Sequence, residues 1–155
     1  MRSNKLGVFL HLVWATWDRT PLITPNVERG LHRCIHHEAQ KQGCKVLALN
    51  GMPDHIHLLV TMPSTLCIAQ LAKQVKGVSS RFANLALFKH AEFKWQGSYG
   101  AFSISRWDAD KIVGYIKDQK KHHVEQSVVD EWEQMFEEFD GGGREEAGDS
   151  PQPGD

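Results

Sequence analysis

The sequence predicts an α+β protein, a ferredoxin-like (RRM-like) split βαβ sandwich with one helix added on its C-terminal side. Three observations carry that reading. Apolar residues alternate with period two in several short runs, as half-buried strands require. Two longer runs show the 3-4-3-4 spacing of a helix buried along one stripe. The runs follow one another as β-α-β-β-α-β-α, the order of a split βαβ core with an extra helix.

The first strand is expected within 6–17, where Leu6, Val8, Leu10, Leu12 and Trp14 recur at every second position. Thr24 before Pro25 offers an N-cap with proline at the first helical position. That helix is expected to reach about Gln42, with Leu31, Ile35 and Ala39 inward and Gly43 as its stop. A second strand at 45–49 and a third at 55–62 flank Asn50-Gly51, a turn signal that predicts a hairpin. Ser64 or Thr65 can cap the next helix, whose stripe is Ile68, Leu71, Val75, Val78 and Phe82. Lys73, Lys76 and Arg81 lie off that stripe, available to phosphates. A short strand at 101–104 precedes Ser105 and Asp108, an S-x-x-D capping box for a helix over about 106–122.

Charge divides the chain. Residues 1–123 hold 17 Lys and Arg against 8 Asp and Glu, a net +9, whereas residues 124–155 hold 1 against 11, a net −10. The basic part has the electrostatics of a nucleic-acid binder and contains all nine histidines. The expected organisation is one domain at 1–123, an acidic amphipathic helix at 124–140 and a disordered tail at 141–155. The helix at 124–140 has an apolar stripe of Val128, Trp132, Met135, Phe136 and Phe139, which must dock on its own core or on a second subunit. No run approaches the ~20 apolar residues of a membrane span, and the N-terminus enters a strand-like run rather than a signal sequence, so a cytoplasmic location is expected. Cys34, Cys44 and Cys67 have no C-x-x-C spacing and read as reduced, mostly buried thiols.

Two constellations carry chemistry. In His55-Ile56-His57 strand alternation throws both imidazoles to one face, while Ile56, Leu58, Val60 and Met62 point to the other. The apolar row must face the two helices of the sandwich, which leaves the histidines on the opposite face. An H-x-H alone is a weak metal motif; two surface histidines would look the same. Tyr115 and Gln119 are four apart on the capped helix expected over about 106–122 and share a face, a spacing that a helix packed at a core edge would also show. Gly114 before the tyrosine costs about 1 kcal/mol in a helix and wants a reason, such as close approach or mobility.

Taken together, Gly51-Met52-Pro53-Asp54-His55-Ile56-His57-Leu58-Leu59-Val60, Lys76-Gly77 with Ser79-Ser80-Arg81, Trp95-Gln96 with Tyr99-Gly100-Ala101-Phe102-Ser103, and Tyr115-Ile116-Lys117-Asp118-Gln119 with His122-His123 resemble the single-tyrosine HUH transposases of small bacterial insertion sequences. The resemblance spans about residues 8–123 and is closest to the branch that includes the REP-associated tyrosine transposases. It implies that His55, His57 and Gln119 are metal ligands and that Tyr115, on the added helix, is the nucleophile. It further implies cleavage and rejoining of single-stranded DNA through a 5′-phosphotyrosine, recognition of DNA hairpins at element or REP ends, and a homodimer. Imidazoles alone favour zinc, nickel or copper, whereas amide, phosphate and water oxygens favour magnesium or manganese. The resemblance implies Mg²⁺ or Mn²⁺.

Other readings are weighed against this one. A non-catalytic RRM-like module would bind single-stranded nucleic acid through an aromatic sheet surface, but its K/R-G-F/Y-G/A-F motif is missing. A two-histidine phosphoesterase needs H-x-S/T motifs, which are absent. A small-molecule regulatory domain leaves the +9 segment unexplained. His32 and His36 lack the H-E-x-x-H of a zinc protease and read as surface residues. His11, opposite the apolar row of its strand, is either structural or close to the site. Trp95, Tyr99 and Phe102 suit base stacking or core packing equally well.

Overall fold

A computed structural model describes residues 4–121. Strand β1 (Phe9–Ala15) leads to helix α1 (Pro25–Lys41), then to a hairpin of β2 (Lys45–Met52) and β3 (His55–Thr61). Helix α2 (Ile68–Phe82), β4 (Gly100–Ile104) and α3 (Ala109–Lys117) complete the order. The four strands form an antiparallel sheet in the order β2-β3-β1-β4, the ferredoxin-like arrangement expected. The expected acidic helix at 124–140, the tail at 141–155, and His122 and His123 lie outside the described residues. No helix of the described residues is long and apolar enough to cross a membrane.

One face of the sheet packs against α1 and α2. Leu12, Ile56, Leu58 and Val60 meet Leu31, Ile35, Leu71 and Val75 there, all buried. Each such aliphatic side chain stabilises the fold by on the order of 2 kcal/mol. That sum fixes the register of β3, because a slip of one residue would carry His55 and His57 into the core and Ile56 and Leu58 out of it. Core packing on one face therefore decides where the histidines go on the other.

The hairpin differs from the sequence reading. β2 continues through Asn50 and Gly51, which pair with His57 and Ile56, and the chain reverses at Pro53-Asp54 instead. Gly51 suits a strand end for a steric reason, since a Cβ there would run into the backbone carbonyl of His55. α2 begins after an N-cap at Cys67, because Ser64 and Thr65 lie in a turn that follows Pro63. Ser105 and Asp108 do bond to each other, Oγ to Oδ2 at 3.1 Å, but they close a turn and the helix starts only at Ala109. That helix stops at Lys117, Asp118 leaves the helical conformation, and helical geometry resumes at Gln119. The close approach that would explain Gly114 is absent, for a Cβ there would meet nothing within 4 Å. Leu6 and Val8 are half-exposed because β3 and β4 both end opposite Phe9. Among the thiols Cys44 is buried and Cys34 partly so, but Cys67 is exposed at its cap position.

Candidate active site

His55 and His57 lie on the sheet face away from α1 and α2, yet both are buried. α3 covers them. Its Ile112 and Ile116 pack on Ala48 and Leu59 of the same sheet face, and Tyr115, also buried, turns its ring edge-on to His57 with centroids 6.3 Å apart. The two histidine rings stand 5.1 Å apart at 78°. Gln119 is fully buried and brings Oε1 to 3.5 Å from His55 Nε2. The structure thus gathers His55, His57, Tyr115 and Gln119, although Gln119 belongs to the helical turn after α3 rather than to α3 itself.

The 117–120 segment is held by polar contacts to β2 and α1. Asn50 Nδ2 donates to the Lys117 carbonyl at 2.9 Å. Lys120 Nζ reaches Glu28 Oε1 at 2.7 Å, Asn50 Oδ1 at 2.9 Å and the Gly51 carbonyl at 3.3 Å. Asn50 and Gly51, read in the sequence as a turn, instead tie down the end of α3 and with it Gln119.

Each histidine is gripped at Nδ1. His55 Nδ1 lies 2.7 Å from Asp54 Oδ1, and Arg19 Nε donates to Asp54 Oδ2 at 3.3 Å. Burial alone would raise the Asp54 carboxyl, but the hydrogen bond and charge of His55, followed by the Arg19 guanidinium, outweigh it and hold the pKa at about 2. The ionised Asp54 accepts from His55 Nδ1 and fixes the ring with Nε2 turned toward Gln119. His57 Nδ1 lies 2.9 Å from His11 Nε2, and burial lowers the His11 pKa to about 4. Arg19 and Asp18 adopt left-handed backbone, φ 49° and 53°, a conformation that non-glycine residues rarely take and that favours a functional constraint.

The donor chemistry fits a divalent cation. His55 Nε2 and Gln119 Oε1 face each other at 3.5 Å, the outer limit of hydrogen bonding. An imidazole nitrogen and an amide oxygen are both ligand atoms for a divalent cation. Two imidazoles and one amide oxygen leave positions for oxygen ligands of a substrate, the open set that a catalytic metal needs. Among the described residues no group of three or more His, Cys, Asp or Glu is arranged to hold a metal, so an amide would have to contribute.

Lys73, Lys76 and Arg81 are not part of this cluster. They belong to α2, in the layer across the sheet. Lys73 and Arg81 are exposed. Lys76, read in the sequence as free for phosphates, donates to the carbonyls of Gln96 at 2.6 Å and Ser98 at 3.1 Å and so clamps the loop before β4. Trp95 is buried in the core, with Nε1 donating to Ser79 Oγ, and Tyr99 packs against the same core. Phe102 is half-buried on the histidine side, 6.4 Å from His11. His36 is exposed as expected, but His32 is half-buried and its pKa falls to about 4 through burial, opposed by Glu28 and assisted by Lys120. A groove of about 510 Å³ between α1, β2 and the end of α3 is lined in part by His32, Arg33, His36, His37 and Lys117.

Asp54 and Arg19 were not singled out by chemistry in the sequence. Asp54 offered one signal, its place directly before the first histidine. Arg19 offered none, because its strained backbone is invisible in an ordinary arginine codeword.

The family described as "Transposase IS200 like" matches residues 5–119, which include β1 to α3 and Gln119. The ISDra2 transposase TnpA of Deinococcus radiodurans is 30% identical over 114 residues, covering 70% of this chain and 81% of that protein. A crystal structure of a transposase from Deinococcus radiodurans R1 superposes with a TM-score of 0.59 at 29% identity, over 77% of this chain and 98% of that one. A REP-associated tyrosine transposase bound to a REP hairpin shares the fold, with a TM-score of 0.60 at 17% identity over 79% and 72% of the two chains. With the family match running from β1 through α3 to Gln119, the chain belongs to the IS200-like transposases.

Proposed function

We propose that this transposase cuts and rejoins single-stranded DNA through a covalent bond between Tyr115 and a 5′ phosphate, acting as a cytoplasmic homodimer on hairpin-bearing DNA at element or REP ends. The observation that carries the reading is the convergence of His55, His57, Gln119 and the Tyr115 ring on one buried patch of the sheet. The hairpin is suggested by the DNA in the related REP-associated structure.

His55 Nε2, a ring nitrogen of His57 and Gln119 Oε1 would hold Mg²⁺ or Mn²⁺. When bound, such an ion would stabilise the negative charge on the phosphate oxygens. The chain's own residues do the rest. Asp54 orients the His55 ring through Nδ1, with Nε2 toward Gln119, and the grip of Asn50 and Lys120 on the 117–120 segment keeps Gln119 in place. The Tyr115 hydroxyl attacks phosphorus, giving up its proton; the bond from phosphorus to the 3′ oxygen breaks, and that oxygen takes a proton to leave as a 3′ hydroxyl. A phenol of ordinary pKa near 10 needs this positioning to act. The phosphotyrosine conserves the ester, so a second 3′ hydroxyl can displace Tyr115 and complete strand transfer.

The test is a denaturing gel of the full chain with Mn²⁺ and a labelled hairpin-bearing single strand. A protein-linked band supports the reading. Retarded DNA in a native gel without any covalent band across the element's own hairpins and flanks would instead favour a DNA-binding relative without chemistry.

Two further outcomes follow from the same reading. Binding to the single strand should weaken steeply with salt, since cations release counterions from phosphates. Replacing Lys73 and Arg81 together by Gln should flatten the log–log slope by about 0.7 to 0.9 per residue if both meet phosphates. An unchanged slope would remove α2 from the DNA surface. The dimer rests on the stripe Val128, Trp132, Met135, Phe136 and Phe139 of the sequence. Light scattering at micromolar concentration should give twice the 17.6 kDa chain mass; a monomer mass rejects it.

A further inference from the structure

We infer that His11 is a positioning residue of the site: it accepts the Nδ1 proton of His57 and so fixes the tautomer in which His57 presents Nε2 as its lone-pair nitrogen. The inference rests on the reading of His57 as a ligand.

Two imidazoles joined nitrogen to nitrogen at 2.9 Å need one donor and one acceptor. A neutral ring has a single N–H. If His57 accepted at Nδ1, its proton would sit on Nε2, and an N–H cannot bind a cation. If His57 donates from Nδ1, Nε2 keeps its lone pair. Ligating histidines are commonly set in this way by a partner on the other ring nitrogen, and loss of that partner costs metal affinity. At His55 the partner is the Asp54 carboxylate, also at Nδ1. The structure repeats the device at His57 with an imidazole as acceptor.

The sheet puts His11 in reach. In the pairing of β1 with β3, His57 lies opposite Val13, and His11 is the next residue on that face of β1. Diagonal neighbours of this kind are close enough for long aromatic side chains to touch. The centroids of the two rings lie 5.2 Å apart with planes at 30°, and Phe102, opposite His11 on β4, has its ring centroid 6.4 Å from that of His11. His11 is 2% exposed and His57 0%, so water has little access to replace a missing acceptor. No direct contact with DNA is needed for this role.

Long-range proton–nitrogen NMR of the metal-free, full-length wild type reads the tautomer directly. His57 should carry its proton on Nδ1. His11→Phe keeps a packed ring and removes the acceptor; the His57 proton should then shift toward Nε2, and Mn²⁺ affinity measured by calorimetry should fall about 10- to 100-fold. His11→Gln supplies an amide oxygen as acceptor and should restore the Nδ1 proton and most of the affinity. An Nε2 proton on His57 in the wild type overturns the inference, as does His11→Phe with tautomer and affinity both unchanged. A wild type that takes no Mn²⁺ while His57 holds its Nδ1 proton overturns the ligand reading alone and supports the tautomer assignment. Should His11→Phe fail to fold, the wild-type spectrum still decides.

Discussion

Tyr115→Phe is expected to leave the protein folded and bound to hairpin-bearing DNA while abolishing the covalent adduct. The substitution removes one oxygen and keeps the ring that stands edge-on to His57. Its cost to folding should stay within about 1.5 kcal/mol, the net value of a hydrogen bond. The cost to chemistry is of another order, because losing the nucleophile of a concerted site costs far more than losing a supporting group. The sequence has only two tyrosines, and Tyr99 packs against the core between the sheet and α1 and α2, in the cluster that holds Trp14, Trp95 and Leu58. It therefore offers no hydroxyl to the histidine patch. The measurement is the denaturing gel with Mn²⁺, run beside a native gel for binding. A protein-linked band with Tyr115→Phe would sink the mechanism and move suspicion to Tyr99.

How far the site could be read in the sequence depends on the range over which each residue is decided. His55 and His57 share a face because strands alternate, and the apolar run Ile56, Leu58, Val60 says which face is core; both facts are local. Tyr115 over that face required only that α3 fold back on the sheet. Gln119 was grouped with Tyr115 by the i, i+4 rule of an unbroken helix, whereas α3 ends at Lys117. The contacts that carry Gln119 inward come from Asn50 and Lys120, 70 residues apart in sequence. No local pattern encodes such a pair. The same is true of Asn50-Gly51, whose turn propensity was overridden by pairing with His57 and Ile56 and by a turn at Pro53-Asp54. Lys76 looked like a phosphate ligand because it lies off the apolar stripe; its capture by the Gln96 and Ser98 carbonyls depends on a loop 20 residues away. His11 showed its face but not its partner, since alternation along β1 says nothing about register against β3.

His57→Ala should keep the nucleophile and lose the electrophilic help, slowing adduct formation by about 10²-fold or more, the scale of removing one strong transition-state stabiliser. His55→Ala should do the same. The sharper expectation concerns the pair. If both imidazoles act only by holding one cation, removing the second after the first has little left to remove, and the double variant should be about as slow as either single one. If each ring acted independently on the DNA, the two losses would multiply to about 10⁴-fold. Burial decides the control: both rings are almost wholly enclosed, so truncation leaves a cavity, and circular dichroism with native-gel DNA binding must show that each variant is folded before rates are compared. The experiment is a time course of adduct formation at saturating Mn²⁺ for the wild type, both single variants and the double. A single variant at the wild-type rate would remove that histidine from the chemistry. Multiplying losses would remove the shared cation and leave Tyr115 working beside two separate imidazoles.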